Sequence, residues 1–367
     1  MNKEMISSKQ GISMIVLYMI GSALVLGSAK EAKADIWIAI LLGIVVTIII
    51  IAMYSRILNR FPNNNLYQVI ILIFGRYIGT IICLLYIFYS LYLAALVLLD
   101  FSMFIGIVGL ESTPESVVAF MVIILAIVGV KMGVEVLGRF AEFFIKIIYP
   151  VILLTVPLML SMVNVNNLKP VLANGFQPVL EGAFSIITFP FAEIIIFAMI
   201  FSSKSVKEGK LFKVFTYGLL LGGGLIFVTE VATYLSLGPY AYESAYFPVY
   251  SALSRINLRD ILQRVEIVIA VSFLLGGFLQ ISACLLACCN GISTIMKLKD
   301  YRFIVTPIGM LVLIISLTTY NDIMENINSF NVFIYFHLFI QIILPIVILI
   351  AGEIRIAINN KISSNKQ

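Results

Sequence analysis

Charge is scarce in this chain of 367 residues: Asp, Glu, Lys and Arg together make up 12% of it, about half the share found in soluble domains. Such a composition excludes a large water-facing surface. Histidine occurs once, as His337, and one imidazole among apolar neighbours makes no zinc site. The four cysteines, Cys83, Cys284, Cys288 and Cys289, fall inside apolar runs and show no paired metal-ligand spacing. They read as small core residues. No nucleophile with a base, no glycine-rich phosphate loop with a lysine and no cofactor motif is present, so nothing supports an enzyme, a bound metal or a cofactor.

Apolar residues instead account for 61% of the chain and the mean hydropathy is +1.09. Lipid is the solvent such a chain fits. A stretch of roughly 20 apolar residues spans the hydrocarbon core, and ten such runs are visible: 10–28, 36–58, 77–104, 117–131, 143–163, 179–201, 211–237, 265–294, 303–319 and 332–355. The expectation is an all-α polytopic membrane protein forming a single membrane domain, 1–367, in which the first run is a retained span. With the N-terminus in the cytoplasm, 18 of the 24 Lys and Arg residues fall on the cytoplasmic side. The positive-inside rule therefore places both termini there and explains the net charge of +5 without a nucleic-acid partner. The outer loop 238–263, rich in Tyr and carrying Pro239, Pro248, Arg255 and Arg259, reads as a partly ordered cap on the bundle or as a simple surface loop.

Interruptions carry the functional signal, because a broken helix is tolerated in hydrocarbon only where protein or a cavity covers the loosened backbone. The first span contains Gly21-Ser22-Ala23-Leu24-Val25-Leu26-Gly27, and the sixth contains Thr188-Phe189-Pro190-Phe191-Ala192-Glu193. They open two consecutive sets of five spans, 1–163 and 179–355, which is the pattern of an inverted repeat with its binding site near the midplane. Glycine pairs also serve close helix packing, and a proline also makes a plain kink. Glu193, a carboxylate at mid-span, suits a substrate ammonium, a cation, a proton or a structural hydrogen bond. Asp100, with Tyr89, Tyr92 and Leu96 on one face of the third span, lines a water path or packs, and Glu230 in the seventh span is a third intramembrane acid. Gly276, Gly277, Gln280 and Ser282 form a flexible polar patch in the eighth span. His337 and Gln341 suit an interhelical hydrogen bond, and Glu142 with Lys146 suits an i,i+4 ion pair.

Taken in order, Ile6-Ser7-Ser8-Lys9-Gln10 before the first span, Phe189-Pro190-Phe191-Ala192-Glu193 in the sixth, and Phe247-Pro248 followed by Arg255, Arg264 and Glu266 resemble the spore germination permeases. These are the membrane B subunits of endospore germinant receptors, in the amino acid-polyamine-organocation superfamily. Ala192 stands where that family usually has glycine. The resemblance covers nearly the whole chain and implies a LeuT-type fold with broken first and sixth helices. It also implies residence in the spore inner membrane, assembly with A and C subunits, and recognition of a small germinant such as an amino acid. The implied pocket comprises Gly21, Ser22, Ala23, Leu24, Tyr92, Leu96, Thr188, Phe189, Pro190, Phe191, Glu193, Gly277 and Gln280, with Asp100, Glu193 and Glu230 available for coupling or a water path. An ion- or proton-coupled amino-acid transporter fits the same features.

Overall fold

The computed structural model describes residues 5–109, 112–206, 210–256, 264–320 and 333–364. Lys3, Lys207, Arg259 and Lys366, which enter the charge count, and the 257–263 end of the outer loop lie outside them. Among the described residues, ten helical segments are long and apolar enough to cross a bilayer, and each coincides with one of the apolar runs. The first span is α1 (Ser8–Leu26); the second ends in α2 (Ile36–Arg60); the next three are α3 (Leu66–Val108), α4 (Glu115–Met132) and α5 (Val134–Met159). The sixth, Gln177–Ile200, is composite: α6 (Gln177–Ile186), a π turn, a 3-10 turn and α7 (Ile195–Ile200). α8 (Leu211–Leu237), the short α9 (Pro239–Ser244) and α10 (Pro248–Leu253), α11 (Ile267–Met296) and α12 (Arg302–Thr319) follow, and Phe333–Ile358 is the tenth span.

The first and sixth spans are buried along most of their length. α1 packs on α8, α11 and α5, while α11 also packs on α3. Outer helices turn apolar stripes away from the bundle, such as Leu41, Val45 and Ile49 on α2 and Met121, Leu125 and Val128 on α4. These stripes would be untenable in water and suit lipid. The protein is a multi-pass membrane protein.

Local chemistry sets several helix ends. The Ser7-Ser8-Lys9-Gln10 segment is a capping box: Gln10 N–H donates to Ser7 Oγ (3.1 Å), and Ser7 N–H donates to Gln10 Oε1 (2.9 Å). α3 starts at Leu66, earlier than the apolar run that begins at 77, because Asn65 and Gln68 form a second capping box. A short segment then joins the long helix at Gly75, whose φ of +76° is open to glycine. α5 likewise begins at Val134 instead of 143, as its polar first turns carry the Glu135–Arg139 and Glu142–Lys146 pairs (3.4 and 3.3 Å).

One expectation is corrected. α1 is continuous from Ser8 to Leu26, with no unwinding at Gly21–Leu24, and the chain leaves the helix only at Gly27 (φ +76°). The missing side chain at Gly21 serves contact: a Cβ there would stand 2.8 Å from the Gly276 carbonyl carbon and 2.7 Å from Gln280 Oε1. The two helices touch backbone to backbone, as small residues allow in membranes.

The described part of the loop between α8 and α11 is folded onto the bundle. Tyr242, Val249, Ala252 and Leu253 are buried, and Tyr240 is exposed. Tyr242 Oη donates to Glu230 Oε2 (2.6 Å) and lies 3.2 Å from the Ser28 carbonyl. Burial, with the Glu230 carboxylate beside it, holds that phenol well above its usual range, so it stays a donor. Glu230 therefore fastens the cap and the end of α1 to α8.

Candidate functional site

The sixth span breaks where its sequence says it should. Phe189 leaves the helical region (φ −144°, ψ 117°) just before Pro190, which has no N–H to donate. This departure lies within a π turn over Ile187–Phe191, and a 3-10 turn over Ala192–Ile194 follows before the helix resumes. The loosened carbonyls need donors, and neighbouring spans supply them. Gln341 Nε2 donates to the Thr188 carbonyl (2.9 Å), and Tyr54 Oη of α2, whose proton goes to the Gln341 carbonyl, lies 3.4 Å from the Ala192 carbonyl.

The tenth span is irregular at the same level. Its own π turn, Phe339–Ile343, frees the Ile340 carbonyl to accept from Tyr86 Oη of α3 (3.2 Å) and the Gln341 carbonyl to accept from Tyr54 Oη. π turns of this kind often mark functional positions. Gln341 Nε2 also donates to Tyr89 Oη (2.9 Å). Two irregular helices thus hold each other through side chains of α2 and α3.

Glu193 emerges from this break fully buried. Tyr18 Oη of α1 donates to its Oε2 (3.3 Å) and lies 3.6 Å from Cys284 Sγ of α11. One turn along, Ser22 Oγ donates to Gln280 Oε1 (2.6 Å). Tyr18 and Ser22 are four apart on α1, as are Gln280 and Cys284 on α11, so two rungs cross the antiparallel helix pair. Asp100 is buried on α3 within electrostatic reach of Glu193.

Several polar atoms in this region lack a protein partner: Glu193 Oε1, Gln341 Oε1, Gln280 Nε2 and Ser282 Oγ. Each such buried group costs about 1–3 kcal/mol unless something meets it, and native proteins leave few without an explanation. Two acceptors and an amide donor are the complement of an ammonium and a carboxylate. Two aromatic clusters pack among the spans of this region, Phe101 and Phe104 with Phe273 and Phe247, and Tyr18 with Phe197 and Phe201. Among the described residues no three His, Cys, Asp or Glu side chains gather as metal ligands would.

The residues read from sequence are distributed unevenly around this centre. Ser22, Thr188, Pro190, Glu193 and Gln280 belong to the interlocked region, and Ala23 and Leu24 are buried on α1. Phe191 points into packing, against the glycines at 43 and 223 on α2 and α8. Gly277 makes room for the Phe101 ring. Tyr92 is drawn elsewhere: its hydroxyl pairs with that of Tyr320 (2.8 Å) and its ring lies on Phe333 (4.7 Å). Leu96 is one turn beyond it on α3. Glu230 is committed to the cap. Tyr18, Tyr89 and Gln341 take central places instead; the four-residue spacing of Tyr18 and Ser22 is the one sequence signal that could have singled out Tyr18.

Similarity to known proteins agrees with this architecture. Mhp1, a nucleobase-cation-symport-1 family transporter solved closed with bromovinylhydantoin bound, superposes with a TM-score of 0.69 over 95% of this chain and 78% of that one, at 12% identity. MhsT in complex with L-phenylalanine gives a TM-score of 0.54 over 96% and 88%, at 14% identity. The fold is thus the LeuT type. In sequence, spore germination protein KB of Bacillus subtilis is 30% identical over 361 residues, 96% of this chain and 95% of that protein. The putative spore germination protein YfkT of the same organism is 28% identical over 77% and 76%. Residues 5–324 match the model of one family, described as spore germination protein, and with the sixth-span motif and the fold in agreement, the chain belongs to that family.

Proposed function

We propose that this protein is the membrane subunit of a spore germinant receptor, binding a small zwitterionic germinant of the amino-acid type between α1, α3, the sixth span and α11. The carrying observation is the set of unpartnered atoms at the sixth-span break: Glu193 Oε1 and Gln341 Oε1 to accept from an ammonium, Gln280 Nε2 to donate to a carboxylate. Binding shifts the balance between two packings of the bundle, to the extent that the ligand prefers one of them. Partner A and C subunits in the spore inner membrane then read the change. On this reading the chain is one membrane domain with repeats 1–163 and 179–355 and both termini in the cytoplasm. An ion- or proton-coupled amino-acid transporter is the second reading, favoured by the likeness in fold to transporters.

Spores carrying Glu193→Gln or Pro190→Ala should germinate at least about tenfold more slowly with the germinant, at unchanged protein level in the membrane. Wild-type germination by both variants at matched levels would remove the sixth-span site.

A further inference from the structure

The end of α2 displays a continuous stripe. Leu41, Val45, Ile49, Ala52, Arg56 and Arg60 succeed one another at three- or four-residue spacing and are all exposed, apolar first and cationic last. Ser55 and Asn59 flank the cationic part, and with Ala52, Arg56, Arg60 and Phe212 from the first turn of α8 they line a groove of about 480 Å³.

Four features make this groove suited to an anion. Arg56 and Arg60 both pair with one carboxylate, Glu353 (2.8 and 3.1 Å), so the trio keeps a net positive charge and unused guanidinium donors. Ser55 is 2% exposed and its hydroxyl has no partner. α8, a helix of 27 residues, also begins here, and Phe212 of its first turn brings the positive end of its dipole beside the groove. Asn59 Oδ1 accepts from Ser203 Oγ (2.7 Å), which fixes that amide with its NH2 available as a donor.

We propose that the groove binds the phosphate of an anionic phospholipid headgroup. The apolar stripe decides for a lipid over free phosphate, because Ile49, Val45 and Leu41 lead directly from the arginines along the helix as a track for an acyl chain. A basic pocket between helix ends at a charged membrane face is a common lipid-binding arrangement. The ligand would also tie α2 to α8, two helices that meet the sixth-span break.

The test is native mass spectrometry of the full-length protein titrated with phosphatidylglycerol, phosphatidylcholine or inorganic phosphate. Phosphatidylglycerol should be retained over phosphatidylcholine, and the double variant Arg56→Gln, Arg60→Gln should lower its retention at least about fivefold. Glu353→Gln, which frees both guanidiniums, should raise it; this variant keeps the test open if the double variant does not fold. Equal retention of the two lipids, or of phosphatidylglycerol by wild type and both variants, would overturn the proposal. Displacement of phosphatidylglycerol by millimolar inorganic phosphate would also overturn it, by assigning the groove to free phosphate.

Discussion

At Gly276 the absence of a side chain lets two central helices touch. A Cβ there would stand 2.4 Å from Gly21 Cα and 3.0 Å from the Leu17 carbonyl oxygen, distances only a shift of α1 could relieve. Gly276→Ala should therefore cost about 1–3 kcal/mol and lower the apparent Tm in detergent. Gly224→Ala, where a Cβ meets nothing within 4 Å, should leave it unchanged. Equal melting of the two variants would contradict the assigned contact. The residue scale also shows where reading from sequence stops. Glycine at 21 announces missing volume but not what fills it, and here the filler is a neighbouring backbone, not a ligand. Pro190 and Glu193 were legible because each is a misfit in an apolar run, and a misfit must be accommodated by something nearby. Tyr18 was not, since a tyrosine in a buried helix is ordinary.

The sixth and tenth spans are held as a pair of irregular elements. One break is written in the chain as Pro190; the other, over Phe339–Ile343, carries only Gln341 as a polar mark, and its freed carbonyls accept from the hydroxyls of Tyr54 and Tyr86. Those partners lie on other helices, beyond reach of local pattern. Gln341 joins the two breaks, so Gln341→Leu should leave the Thr188 carbonyl and Tyr89 hydroxyl without that donor, a loss of about 1–3 kcal/mol. Hydrogen exchange should then quicken in the peptide covering 187–194 while the cap segment 239–253 keeps its protection. Unchanged exchange in 187–194 would show that the tenth span does not hold the break.

Across the whole molecule, span number and order were legible because hydrocarbon thickness fixes element length and leaves little room for ambiguity. The ends were less so, since helices such as α3 and α5 continue past the apolar run on capping boxes and ion pairs. The cap was half-visible: its tyrosines and prolines suggested order, but its attachment through Tyr242 to Glu230 depends on tertiary proximity. The proposed picture is a LeuT-type bundle around a buried polar centre whose spare donors and acceptors take up a zwitterion. Its most direct test is equilibrium binding of a labelled amino-acid panel to the purified protein in proteoliposomes, with uptake followed on the same samples. The account predicts saturable binding of at least one amino acid, weakened at least about tenfold by Glu193→Gln, with no concentrative uptake. Binding that Glu193→Gln leaves intact would contradict the site, and uptake driven by an imposed ion gradient would contradict the receptor and establish the transporter.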